Sequence, residues 1–185
     1  MTPRRRFALA LAICVSAGGM ALIAGALTGR SAMTAGALPP GGVPEQALSE
    51  LFASRFDDHA GRPQPFSQWK GKFLVVNFWA AWCAPCREEI PYFSRIHEKY
   101  AAKGVQFVGI STDSPEQVRA FARTHPTAYP LLVGGPDAIE LSVLLGNSRK
   151  GLPYTIVLSK KGEPLLTRTG PLPELELENM LRGLN

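Results

Sequence analysis

Apolar positions along this chain form one unbroken block followed by segments of short period. The block runs from Phe7 to Leu27 without a charged residue, directly behind Arg4, Arg5 and Arg6. As a helix it would reach about 31 Å, enough to cross a bilayer. A charge-free segment behind a basic cluster predicts cytosolic arginines and export of everything downstream. The triplet AGA at 24–26 and again at 35–37 leaves removal of this leader open. RRRFAL is too loose a twin-arginine signal to choose an export route, and Cys14 reads as a small residue buried in the membrane. Residues 28–50, with ALPPGGVPEQ, read as a Pro/Gly linker. The expected organisation is an anchor over 1–30, a linker over 31–50 and a folded domain over 51–185.

Beyond the linker the pattern alternates between strand and helix periods. LFASRFDDHAGRPQPF predicts two short strands around a turn at Asp58–Gly61. SQWKGK leads into FLVVNFW, a nearly continuous apolar run expected of a strand covered on both faces. A helix is predicted from Ala84 to Ala102, with Pro85 in its first turn, Gly104 as its stop and Pro91 as a kink. VQFVGIS is the next buried strand. SPEQVRAFA opens a second helix, Ser114 capping it, Pro115 at its first position and Gln117 closing a capping box. YPLLVGG predicts a strand and DAIELSVLLG a helix. GLPYTIVL and EPLLTRTG are strands joined by a turn at Lys160–Gly162, and PELELENMLRGL is a closing helix. Alternation of this kind means an α/β sheet. The last two strands are too close in sequence to pair other than antiparallel, so the sheet is mixed.

Charge changes the picture only by where it lies. The formal net charge is +5, which by itself would invite nucleic acid as a partner. Four basic residues (Arg4, Arg5, Arg6, Arg30) precede residue 40, whereas every acid follows it. From residue 41 on, the two signs nearly cancel, leaving no footprint for a phosphate backbone.

The candidate chemistry is NFWAAWCAPCREEIP, Asn77 to Pro91. Cys83 falls where a buried strand gives way to a helix, and the unpaired N–H groups and positive dipole there stabilise a thiolate. Cys86, one turn on, is within reach to close a small disulfide. A structural zinc site would need four ligands, and His59, His97 and His125 are too scattered to supply half of one. Haem attachment would need histidine where Arg87 stands. A bridge across two residues closes too small a loop to add much stability. The remaining reading is a redox dithiol, with Cys83 attacking and Cys86 resolving.

FWAAWCAPC after an apolar strand, with GLPYT about seventy residues later, resembles the thioredoxin superfamily. More narrowly it is similar to the membrane-anchored TlpA/ResA-like thiol–disulfide oxidoreductases, over about residues 48–185. The resemblance implies a thioredoxin-like fold with an N-terminal β-hairpin and a helix-containing insertion, here Ser114 to Leu145. It implies that Pro153 is a cis proline facing the cysteines and that Leu152 pairs with substrate backbone, although Pro153 alone would read as a loop proline. Trp82 would line the substrate surface or simply pack. Simple thioredoxins carry a buried aspartate where this chain has Asn77, which cannot titrate. Glu89 is the candidate replacement: it falls inside the helical arc of Cys86, Ile90, Phe93, Ile96 and Tyr100, where burial would raise its pKa. The alternative is that Glu89 reaches solvent at the edge of that arc.

The function so implied is extracytoplasmic thiol–disulfide exchange, in the reducing direction. Its substrates would be protein disulfides, such as apocytochrome c haem-site cysteines or copper-site thiols, with electrons from a membrane thiol transporter and no cofactor. The rival reading is a copper metallochaperone of the same fold, since soft thiolates suit Cu(I). Its relatives use a wider cysteine spacing and a downstream histidine, and none follows His125 here. A peroxiredoxin would not need the W-C-x-P-C context.

Overall fold

The computed structural model describes residues 42–183. The first half comprises α1 (Glu45–Ala53), β1 (Arg55–Asp58), β2 (Pro63–Pro65), β3 (Phe73–Trp79), α2 (Ala84–Tyr100) and β4 (Val105–Ser111). The second comprises α3 (Pro115–Thr124), β5 (Leu131–Val133), α4 (Asp137–Leu144), β6 (Tyr154–Leu158), β7 (Pro164–Thr169) and α5 (Glu174–Arg182). The strands form one sheet in the order β2-β1-β5-β4-β3-β6-β7. β3, β4 and β5 are parallel, while β6 runs antiparallel to β3, β7 to β6, and β1 to both β5 and β2. This is the mixed sheet that the spacing of the last two strands requires. The segment 114–145 contributes β5 to it between two helices.

β3 is buried along its whole length, and its side chains divide by the two-residue period of a strand. Phe73, Val75 and Trp79 join the core under α2, α3 and α5. Leu74, Val76 and Phe78 join a second core under α1 and α4. A 3-10 turn at Phe66–Trp69 seals that second core, with Phe66 fully buried and edge-on to Phe52 and Trp69. Truncating a ring so placed costs about 3–5 kcal/mol. Asn77 is the one polar member of β3, and alternation puts it on the α2 side.

The helices begin and end where their chemistry allows. Ser114 accepts from the Gln117 N–H and Gln117 returns the bond, so α3 opens on the capping box its sequence predicts. α2 runs unbroken through Pro91, whose ring lies on the exposed face, and gives way to a 3-10 turn before Gly104.

The N-terminal boundary differs from the expectation. Residues 45–53 form a helix rather than the end of a linker and the start of a strand, and the hairpin begins only at Arg55. Val43, Ala47, Leu48 and Leu51 recur at helical spacing and are all buried, so the folded unit starts before residue 51. The apolar run 7–27 and Cys14 lie outside the described residues. Among the described residues no helix is long and apolar enough to cross a membrane.

Candidate redox site

The site sits at the carboxyl end of β3. There the chain leaves the sheet through Ala80–Trp82 and enters α2 with Cys83 as the residue capping it. Cys83 and Cys86 are joined as a disulfide, their Cα atoms 5.3 Å apart. Cys83 Sγ also accepts the Cys86 backbone N–H at 3.3 Å. The cap is thus a sulfur in place of the usual hydroxyl or carboxylate oxygen. Cys83 retains a sliver of exposure and Cys86 none, whereas the Trp82 ring beside them is 70% exposed. The loop is held from β4: Asp113, itself buried, accepts the Ala81 N–H at 2.6 Å and the Ser111 hydroxyl at 3.0 Å.

The Leu152–Pro153 peptide is cis. It immediately precedes β6, and the pairing of Phe78 with Tyr154 sets it beside the end of β3 from which the cysteine loop departs. No hydrogen bond among the described residues engages the Leu152 backbone, while the Pro153 carbonyl accepts the Gly170 N–H at 2.8 Å.

Behind the disulfide lies a buried carboxyl. Glu89, one turn beyond Cys86 on the same face of α2, is 1% exposed and does not reach solvent. Its Oε1 accepts from Asn77 Nδ2 at 2.6 Å and its Oε2 from the Leu172 N–H at 3.3 Å. Asn77 Nδ2 also donates to Thr155 Oγ1 at 3.1 Å, and Asn77 Oδ1 is buried without a partner among the described residues. Burial raises the Glu89 pKa from 4.5 to about 7, and the bonds from Asn77 and Leu172 only partly offset it. Burial, with the neighbouring acid adding to it, also pushes the Tyr92 and Tyr129 hydroxyls above their ordinary range.

The chain matches the model of the AhpC/TSA family over residues 45–163. The chain belongs to the AhpC/TSA family. It is 27% identical over 128 residues to a thiol-disulfide oxidoreductase ResA of Geobacillus kaustophilus, covering 69% of this chain and 71% of that protein. It is 31% identical over 126 residues to the thioredoxin-like protein YneN of Bacillus subtilis, covering 66% of this chain and 71% of that protein. Among solved structures it is similar to a secreted thiol-disulfide isomerase from Corynebacterium glutamicum, with 26% identity, a TM-score of 0.64, and coverage of 72% and 84% of the two chains. This AhpC/TSA member therefore has the thioredoxin-like fold and is a thiol–disulfide oxidoreductase whose CxxC pair is Cys83 and Cys86.

Set against the sequence, the AhpC/TSA fold gathers Cys83, Cys86, Trp82, Leu152 and Pro153 at one end of the sheet, with Glu89 one turn deeper. Four contributors are not among the residues that the sequence pattern singles out. Ser111 ends the buried strand β4 and Asp113 follows it in STDS, where a buried acid has no signature of its own. Thr155 is polar inside the apolar run YTIVL, a signal of the same kind as Asn77. Leu172 acts through its backbone, which leaves no side-chain signal.

Proposed function

We propose that this protein is an extracytoplasmic reductase of protein disulfides. The observation that carries the direction is the buried Glu89 carboxyl behind Cys86, hydrogen-bonded to Asn77 and a backbone N–H and, among the described residues, to no cation. Oxidants of this fold are strong because their reduced thiolate is stabilised. A buried acid beside the second sulfur does the reverse: it disfavours a second negative charge, so the dithiol gives up its electrons readily.

Cys83 is the attacking sulfur. As a thiolate it would keep the Cys86 N–H and face the positive end of α2. It attacks one sulfur of a partner disulfide, forming a mixed disulfide and releasing the partner's other sulfur as a thiolate. Glu89 then takes the Cys86 proton, and Cys86 attacks Cys83 Sγ. That step frees the second partner thiol and closes the Cys83–Cys86 bridge. The partner gains two electrons and the pair loses two, which an upstream dithiol must restore. The unengaged N–H and C=O of Leu152, beside Pro153, suit an extended substrate backbone, and the exposed Trp82 ring supplies apolar contact to it. Asn77 holds Glu89 against β3 rather than titrating itself.

Export of the domain rests on the basic-then-apolar N-terminus, and the secreted Corynebacterium relative supports it. The substrates are then exported proteins with paired cysteines, apocytochrome c and copper-site proteins being the candidates the family resemblance supplies. A membrane thiol transporter is the fitting electron source.

Two measurements test this. With Cys86→Ala, a mixed disulfide with an exported protein should accumulate on Cys83, and Cys83→Ala should trap nothing. Redox equilibration against dithiothreitol should return a potential nearer the thioredoxin value of about −270 mV than the oxidant value of about −120 mV. A potential at the oxidant end would overturn the reducing direction.

A further inference from the structure

After β7 the chain passes through Gly170-Pro171-Leu172-Pro173 before α5 begins, and besides the Pro173 carbonyl, which opens α5 by accepting the Leu177 N–H, three hydrogen bonds leave this segment in three directions. The Gly170 N–H donates to the Pro153 carbonyl at 2.8 Å. The Leu172 N–H donates to Glu89 Oε2 at 3.3 Å. The Leu172 carbonyl accepts the Tyr92 hydroxyl at 2.8 Å. The segment is also stiff. Its two prolines have φ fixed by their rings, Gly170 holds a φ of 92° that suits glycine, and Leu172 is fully buried in the core under α2. One rigid strap therefore touches both the substrate-docking peptide and the buried acid.

We propose that Gly170–Pro173 positions the Leu152–Pro153 peptide and Glu89 as one unit, with Tyr92 the positioning residue that holds the Leu172 N–H against the carboxylate. This rests on the reading that Glu89 exchanges a proton with Cys86 and that Leu152 receives substrate. An ionised carboxylate accepts a hydrogen bond more strongly than a neutral carboxyl. Each time Glu89 takes up a proton, its grip on Leu172 slackens. The stiff strap carries that change to the Pro153 carbonyl, next to the Leu152 peptide that receives the substrate backbone. Docking is then firmest while Glu89 is ionised and ready to accept the Cys86 proton, and it loosens once the resolving step has protonated it.

The surroundings leave the strap a large share of control over this carboxyl. Its charge reaches Tyr92 on its own helix and Tyr129 in the loop before β5, and Tyr92 in turn faces Glu174 of α5 and the exposed Glu88. On β7, Arg168 stands beside Thr155 but is engaged by Glu176. The donors to Glu89 are the Asn77 amide and the Leu172 N–H alone among the described residues.

The test perturbs each end of the strap and reads the other, in the full-length protein with a disulfide-bonded peptide as substrate. Tyr92→Phe removes one hydroxyl and keeps the ring. The pH at which the resolving step half-develops should rise by about half a unit or more, the direction expected when a carboxylate loses a donor. Gly170→Ala meets open space but an unfavourable φ; it should raise KM for the peptide and move the same pH profile in the same direction. In a Glu89→Gln background neither substitution should move the profile further. If Glu89→Gln displaces the profile but Tyr92→Phe and Gly170→Ala leave it at the wild-type position, the strap is overturned and the role of Glu89 stands. If Glu89→Gln itself leaves the profile in place, the role of Glu89 fails first and the strap with it.

Discussion

Burying a carboxyl without a cation should make the folded protein less stable as pH rises, and Glu89 fixes both the window and the size of the effect. Its pKa is about 7 in the folded state against an ordinary 4.5. Below 4.5 both states are protonated and Glu89 contributes no slope. Between 4.5 and about 7 the unfolded chain ionises while the folded one keeps its proton. Stability then falls by about 1.4 kcal/mol per pH unit. The loss totals about 3 kcal/mol and levels off above the folded pKa, a large part of the roughly 5–15 kcal/mol that holds a domain together. His97 works in the opposite sense: burial lowers its pKa, so it costs stability as pH falls through its range.

Comparison with Glu89→Gln removes the His97 contribution, since it is common to both proteins. Glutamine matches the protonated acid in shape. Two donors already face this position, from Asn77 and Leu172, so one end of its amide meets a donor. That mismatch costs a constant amount at every pH. The informative quantity is therefore the change with pH in the difference between the two proteins. Urea unfolding of the oxidised proteins from pH 4.5 to 8.5 measures it, and the intact disulfide keeps the thiols from titrating. The variant should gain about 3 kcal/mol on the wild type across that range. A difference that stays constant to within about 0.5 kcal/mol would refute a buried, uncompensated Glu89.

Two further outcomes follow from the same geometry. Asn77→Asp sets a second carboxyl where an amide now lies 2.6 Å from Glu89 Oε1. The two acids should share one proton well past neutrality, as closely spaced carboxylates do. Carboxyl titration by NMR reads this directly, and an unchanged Glu89 midpoint would count against it. Asp113→Ala removes the acceptor of the Ala81 N–H, on the approach to Cys83, and of the Ser111 hydroxyl at the end of β4. Denaturation should show a loss of about 1–3 kcal/mol for the stranded donors, and a loss under about 0.5 kcal/mol would mean that water replaces them.

What the sequence discloses depends on whether an interaction is local. α2 could be read in detail because Cys83, Pro85, the apolar arc and Glu89 all lie within one helix, where spacing alone decides which residues share a face. The opposite holds for α1, whose short period in Val43, Ala47, Leu48 and Leu51 is masked by the Pro/Gly run just before it. Thr155 and Leu172 meet Asn77 and Glu89 only because β6 pairs with β3 and the strap folds back across α2, contacts that span 78 and 83 residues. Register of that kind is set by the whole sheet and not by any local pattern. Yet one clue was in view. An asparagine in the middle of a seven-residue strand buried from end to end is costly unless its amide is satisfied. Its two N–H groups require two acceptors on its own face of the sheet. Thr155 supplies one as the residue paired with Asn77 on β6, and Glu89 supplies the other from the helix above. Each of the three is an anomaly in its own apolar segment, and each offsets part of the cost of another. A polar residue inside a buried strand therefore predicts partners of complementary chemistry before their positions can be known, and here those partners are the ones that hold the acid behind the cysteines.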